Sequence, residues 1–231
     1  MASVPTSADL PALYRDTRER VAEMVGSLGP GELAAPVPAC PGWSVADVVS
    51  HLAAVGEDVL AGRLTGPPDA EQTAEQVARH RGRPIAEVVG TWTEVAPQFE
   101  DIIANFEVWP AVLDVASHEH DIRGALGRPG ARDTEVVRAG AERLVTLMRP
   151  PVPMVVRVED AEFPVGPSDD GAGGGSRSEP LVIDTTRFEV VRWRLGRRSR
   201  AQLAALTWSA DPAPVLDHLV IFGPSPEDIH E

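Results

Sequence analysis

At 231 residues with 43% hydrophobic side chains, the chain is long enough to bury a full core without disulfides or a structural metal. A net charge of -14 and a pI near 4.8 exclude a general affinity for nucleic acid or an anionic membrane, since either would repel such a surface. A single cysteine, Cys40, excludes an intrachain disulfide framework, and all 21 basic residues are arginine, which reads as the codon bias of a GC-rich genome rather than a demand of the fold.

The amino terminus, MASVPTSADLPALYRD, lacks the basic and apolar regions of a signal peptide. No apolar run approaches the roughly 20 residues needed to span a bilayer, so the expected location is cytoplasmic. Leu10, Leu13, Val21, Met24, Val25 and Leu28 recur at helical spacing and predict a first amphipathic helix over 7–28, stopped by Gly29 and Pro30. A proline-heavy loop follows and ends in Cys40-Pro41-Gly42-Trp43, a turn set by its Pro-Gly pair.

Ser44 opens the next helix as its N-cap, with Asp47 at the reciprocal position of a capping box. Val48, Leu52, Val55 and Val59 form its apolar stripe towards Leu64, and His51 sits beside them at the core edge. A lone histidine there is more often a satisfied core residue than a ligand; Asp47 and Asp58 are placed to accept from its second ring nitrogen.

Residues 66–83 read as a polar loop with a short helix around Ala74 to His80. Helical pattern resumes at Pro84 and continues towards Phe106, with a kink or break at Pro97. A mostly buried helix runs from Trp109 to Gly127, and another from Thr134 to Met148.

The composition changes at Arg149-Pro150-Pro151-Val152-Pro153, which predicts a boundary between domains 1–149 and 150–231. Beyond it, Met154 to Val158, Glu162 to Val165 and Leu181 to Asp184 alternate as strands. Gly166 to Pro180 reads as a long hairpin connection, and its Gly171 to Gly175 run as a linker, because it has neither a phosphate-binding lysine nor Rossmann spacing. Thr185 or Thr186 caps a helix through Phe188, Val191 and Leu195, Ser199 caps the next, and a last helix lies near Pro214 to Ile221. The fold class is therefore α+β, a helical bundle followed by a small α/β domain. Arg187, Arg192, Arg194, Arg197, Arg198 and Arg200 form a local basic cluster, read as a solvated face able to receive an anionic group.

The chemistry concentrates in DVASHEHDIRGALG, Asp114 to Gly127. On a helix, Asp114, His118 and Asp121 stand at i, i+4 and i+7 and line one stripe, a metal-ligand pattern. One helix offers a cation two ligands from adjacent turns but rarely three, so a further group is needed from elsewhere in the chain. His51 supplies it: two imidazoles and a carboxylate from facing helices of a bundle leave a position open for water or substrate, and suit Zn²⁺ or a non-heme Fe(II). His120 points roughly opposite His118 and is not read as a co-ligand.

These motifs resemble a known family. Cys40-Pro-Gly-Trp-Ser-Val-Ala-Asp-Val-Val-Ser-His-Leu-Ala, followed by the Asp114 to Gly127 helix, is similar to the mycothiol-dependent maleylpyruvate isomerases, whose amino-terminal domain is a DinB-like four-helix bundle. The stretch from Phe188 to Gln202, with Trp208 and Asp211-Pro212, is similar to the SCP2-like α/β domain that often follows there, so the resemblance covers nearly the whole chain. It implies a divalent metal, usually zinc, held by His51, Asp114 and His118, with Asp114 standing where the isomerases have the longer Glu. It further implies mycothiol as a thiol cosubstrate, which Asp121 or Arg123 would orient, and an actinobacterial source.

The implied activity is transferase or isomerase chemistry on a small electrophilic substrate through an activated thiolate. The alternative is a non-catalytic metal- or small-ligand-binding module on the same scaffold. The expected partners are small molecules, with no nucleic acid and no membrane, in a monomer or homodimer. Cys40 sits in a Pro-Gly turn with no histidine near it in sequence, and reads as structural.

Overall fold

The structure, a computed structural model, describes residues 8–167 and 179–231. Its first helix, α1, spans Leu10–Gly26, opened by the Asp9 carboxylate accepting from the Ala12 amide at 3.1 Å. A single helical turn, α2 (Pro30–Leu33), interrupts the following loop. Helix α3 (Val45–Leu60) begins with the predicted capping box: the Asp47 amide donates to Ser44 Oγ at 3.2 Å and the Ser44 amide to Asp47 Oδ2 at 2.9 Å. Two orphan donors of the first turn are thereby satisfied.

Helix α4 (Ala70–His80) is longer than the sequence pattern suggested, because Asp69 and Gln72 form a second capping box that starts it at Ala70, four residues upstream of Ala74. Helix α5 (Ile85–Phe106) runs on through Pro97, so that proline neither breaks it nor ends it. Helix α6 (Trp109–Ala125) starts with Pro110 in its first turn, where the missing amide hydrogen costs no helical bond. Helix α7 (Glu135–Thr146) follows.

The chain divides into two compact units, one ending at Gly130 and taking in Glu231, the other Ala131–His230. In the first unit α1 packs on α5 and α6, and α3 packs on the same two helices, which closes a four-helix bundle; α4 lies against α3. Val21, Val25, Val48, Val49, Leu52, Phe99, Ile103, Val112 and Val115 fill its interior. Where α3 meets α5, Gly56 permits the approach: a Cβ there would stand 3.2 Å from Val95 Cγ2. Trp92 is fully buried and donates its indole N–H to the Tyr14 hydroxyl at 2.8 Å, while Tyr14 meets Phe99 edge to face.

The second unit is built on strands β1 (Met154–Val158), β2 (Ala161–Val165), β3 (Leu181–Asp184) and β4 (Thr207–Trp208), in the order β2-β1-β3-β4. Strands β1 and β2 form a hairpin with Val156 opposite Phe163, and Pro164 is tolerated because β2 is an edge strand. Strand β3 pairs with β1 in parallel, so the connection from Gly166 to Pro180 is not the hairpin expected of it; the glycine run lies outside the described residues. Helices α8 (Arg187–Arg194) and α9 (Arg200–Ala204) are capped by Thr186 and Ser199 as predicted, whereas the segment expected as a last helix holds only a 3-10 turn at Leu216–His218.

Two expectations differ in this unit. Helix α7 lays its apolar face on α8 and β2, so it belongs with the sheet, and the units part at Gly130 and Ala131 rather than at the proline-rich stretch after Met148. The arginine cluster is a solvated face only at Arg200, which is exposed; Arg192, Arg194 and Arg198 are buried. Arg192 is fully buried, Arg194 donates to the Leu219 carbonyl at 2.7 Å, and Arg198 grips both Glu189 oxygens at 2.8 and 2.7 Å. Burial pushes the Arg194 guanidinium down to about 10. Among the described residues, no helix is long and apolar enough to cross a membrane.

Candidate metal centre

The first unit gathers the polar residues singled out from the sequence at one place. Helix α3 carries His51 and helix α6 carries Asp114, His118 and Asp121, all brought together by the contact of α3 with α6. His51 Nε2 lies 3.5 Å from Asp114 Oδ2, and His118 Nε2 lies 3.5 Å from Asp114 Oδ1. One ligand atom from each of the three residues falls within 4.8 Å of the others.

The donor set fits a divalent cation. Two ligands each about 2.0–2.1 Å from a tetrahedral zinc stand about 3.3–3.4 Å apart, close to the separations between these imidazoles and the carboxylate. The histidine side chains are 5% and 7% exposed while that of Asp114 is 35% exposed, so the cluster is closed on the histidine side and open on the carboxylate side. An exchangeable ligand would enter past Asp114.

The surroundings orient both rings. Asp121 is buried, and its Oδ2 lies 2.9 Å from His118 Nδ1; a carboxylate can only accept, so Nδ1 carries the proton and Nε2 keeps its lone pair towards Asp114. The imidazoles of His51 and His118 meet edge to face at 5.3 Å, and Trp43, from the turn before α3, stands 5.3 Å from the first ring and stacks at 6.3 Å on the second. His51 Nδ1 lies 2.9 Å from Gln76 Oε1 on α4.

Arg123, expected as an alternative to Asp121 for orienting a cosubstrate, donates to Glu119 Oε1 at 3.1 and 2.9 Å. Arg20 of α1 reaches the same fully buried carboxylate at 2.7 Å. That trio ties α1 to α6.

Three features escaped the sequence reading. Gln76, not Asp47 or Asp58, meets the second ring nitrogen of His51; Asp47 is occupied by its capping box, and Asp58 accepts from Gln76 Nε2 at 2.8 Å, one link further on. The signal for Gln76 was its place on α4 beside Val77 and one turn before His80, the face that is buried. Trp43 was recognised as part of a turn but not as a wall of the cluster. Cys40 is not remote from histidine: its Sγ lies 3.8 Å from His118 Nδ1 and 3.6 Å from Asp121 Oδ2.

A four-helix bundle with two histidines and a carboxylate converging from facing helices, on a chain that continues into a small mixed sheet, defines an α+β protein of the bundle class that builds ligand and metal sites in its interior. Residues 14–168 match the family described as Mycothiol maleylpyruvate isomerase N-terminal domain, and the chain belongs to that family. In fold it is similar to the crystal structure of the mycothiol-dependent maleylpyruvate isomerase, at 13% identity and a TM-score of 0.50, with 95% of this chain and 94% of that one covered. A histidine-to-alanine variant of the mycothiol-dependent maleylpyruvate isomerase gives 14% identity and a TM-score of 0.53 over the same shares of the two chains. No curated protein sequence matches significantly.

Proposed function

We propose that the protein is a metal-dependent enzyme that activates a low-molecular-weight thiol, mycothiol, against a small electrophilic substrate, and that isomerisation about a double bond is its reaction. The observation that carries this reading is the convergence of His51 Nε2 and His118 Nε2 on the two oxygens of Asp114, each at 3.5 Å. Family membership supports the thiol and the reaction class. The metal and the ligand roles rest on the donor chemistry.

His51, Asp114 and His118 would hold the ion, zinc foremost. When bound, the ion supplies stabilisation of a thiolate at neutral pH, where a free thiol of pKa about 8.5 is mostly protonated. Asp121 keeps the His118 ring turned with Nε2 inward. Trp43 covers the two rings, and the exposed flank of Asp114 is the side from which a thiol and its electrophile can approach. Isomerisation regenerates the thiol, whereas transfer consumes it, so thiol turnover separates the two outcomes.

The test is metal analysis of protein purified without chelator, together with turnover of maleylpyruvate in the presence of mycothiol. Close to one equivalent of zinc, lost with turnover in His51→Ala and His118→Ala, is the expected result. Metal far below one equivalent after zinc supplementation, or full turnover in both variants, contradicts the reading. Stoichiometric metal with no turnover on any thiol and electrophile pair would make the chain a binding module instead.

A further inference from the structure

His51 can act as a ligand through Nε2 only if its ring proton sits on Nδ1, and the neighbour on that side is an amide, which can present either a donor or an acceptor. Gln76 alone therefore decides nothing. The decision is made one residue further away. Gln76 is fully buried on α4, and its second amide atom faces Asp58 Oδ2 at 2.8 Å. The other Asp58 oxygen, Oδ1, receives Arg63 Nε at 2.6 Å and Arg79 Nη2 at 2.7 Å.

We infer that Asp58 and Gln76 form a two-step positioning relay that fixes His51 in the Nδ1–H tautomer and so keeps its Nε2 lone pair aimed at Asp114. A carboxylate between two guanidinium groups is ionised and can only accept, so Gln76 turns its NH₂ towards Asp58. Its carbonyl oxygen is then left facing His51 Nδ1 at 2.9 Å, which makes that nitrogen the donor. Burial pushes the Asp58 carboxyl up, but the hydrogen bonds from Gln76, Arg63 and Arg79 outweigh it and hold the group below its ordinary value.

The relay makes an inversion prediction that a merely space-filling role does not. In Asp58→Asn the two arginines still claim an acceptor at the Oδ1 position, so the new amide must place its oxygen there and its NH₂ towards Gln76. Gln76 then rotates to offer its oxygen to that NH₂, and its own NH₂ faces His51 Nδ1. The imidazole responds by carrying its proton on Nε2. An almost isosteric change two residues away from the ring thus exchanges its two nitrogens.

This inference deepens the metal reading and rests on it for its purpose, but it is measurable without metal or activity. The full chain, labelled with nitrogen-15 and stripped of metal, is studied by long-range proton–nitrogen correlation at a pH about two units above the ordinary imidazole value of about 6.5. Signals of His51 are assigned by their loss in His51→Ala. The wild type is expected to show the Nδ1–H tautomer, Asp58→Asn the Nε2–H tautomer, and Gln76→Met a loss of the strong Nδ1–H preference. An Nε2–H tautomer in the wild type, which needs no variant to fold, overturns the relay, as does an unchanged Nδ1–H tautomer in folded Asp58→Asn.

Titration of the same proteins with zinc alone, against a competing chelator, separates the two levels. Asp58→Asn is expected to bind zinc about 10- to 100-fold more weakly, the usual effect of losing an outer hydrogen-bond partner. A wild type with the Nδ1–H tautomer that binds no zinc overturns the metal reading and supports the relay.

Discussion

His51 and His118 approach each other edge to face at 5.3 Å, and the carboxylate of Asp114 spans the gap between their Nε2 atoms with one oxygen to each. With both rings protonated at Nδ1, two nitrogen lone pairs and a carboxylate meet at one place, which a cation among them would relieve; with the proton on Nε2, either ring would instead donate to Asp114.

Asp121 is expected to set the quality of that arrangement from outside it. Its Oδ2 takes the Nδ1 proton of His118 at 2.9 Å from a fully buried position. Asp121→Asn keeps the shape but can present NH₂ to the ring and favour the wrong tautomer. Zinc affinity should fall about 10- to 100-fold, measured by chelator competition, with little change in the far-ultraviolet circular dichroism. Unaltered affinity would show that the ring is oriented by packing against Trp43 alone.

The bundle core makes a prediction independent of metal. Tyr14 accepts the Trp92 indole N–H at 2.8 Å, and both side chains are buried. Tyr14→Phe preserves the ring and its edge contact with Phe99 but leaves a buried donor without its acceptor, which costs about 1–3 kcal/mol. Urea unfolding should show that loss as a lower midpoint at an unchanged slope, because the surface exposed on unfolding is the same.

Acid should loosen the structure through particular carboxylates. Burial raises Asp47 and Asp58, yet hydrogen bonds, from Ser44 in the one and from Gln76, Arg63 and Arg79 in the other, leave both below their ordinary value of 3.8. A depressed folded-state value stabilises the protein at pH above the unfolded value and loses that contribution as pH falls through the folded one. The loss is therefore expected below about pH 4, and Asp58→Asn should flatten the pH dependence of stability in that window, as followed by thermal unfolding across an acid series. An unchanged slope in the variant would mean that Asp58 titrates alike in the folded and unfolded chain.

Much of this was legible from local pattern. The Ser44 and Asp47 capping box places the start of α3, and the spacing of Asp114 from His118 puts both on one face of α6, because helical periodicity and capping are short-range rules. Cys40 and Gln76 were not legible, since their approaches span long separations, 78 residues from Cys40 to His118 and 25 from His51 to Gln76. A polar side chain on a short helix looks solvated until the packing of α4 on α3 buries it. The place of α7 is hidden in the sequence for a related reason: the prolines after Met148 look like a linker, but the apolar face of α7 finds its partners in α8 and β2, which come later in the chain.

The most direct test is an anomalous-scattering map at the zinc edge from crystals of the full chain grown with zinc and without chelator. The account predicts one strong peak about 2.0–2.2 Å from His51 Nε2, His118 Nε2 and an Asp114 oxygen, open to solvent on the Asp114 side. No peak between those histidines, or a peak held by Cys40, His118 and Asp121 instead, would contradict it.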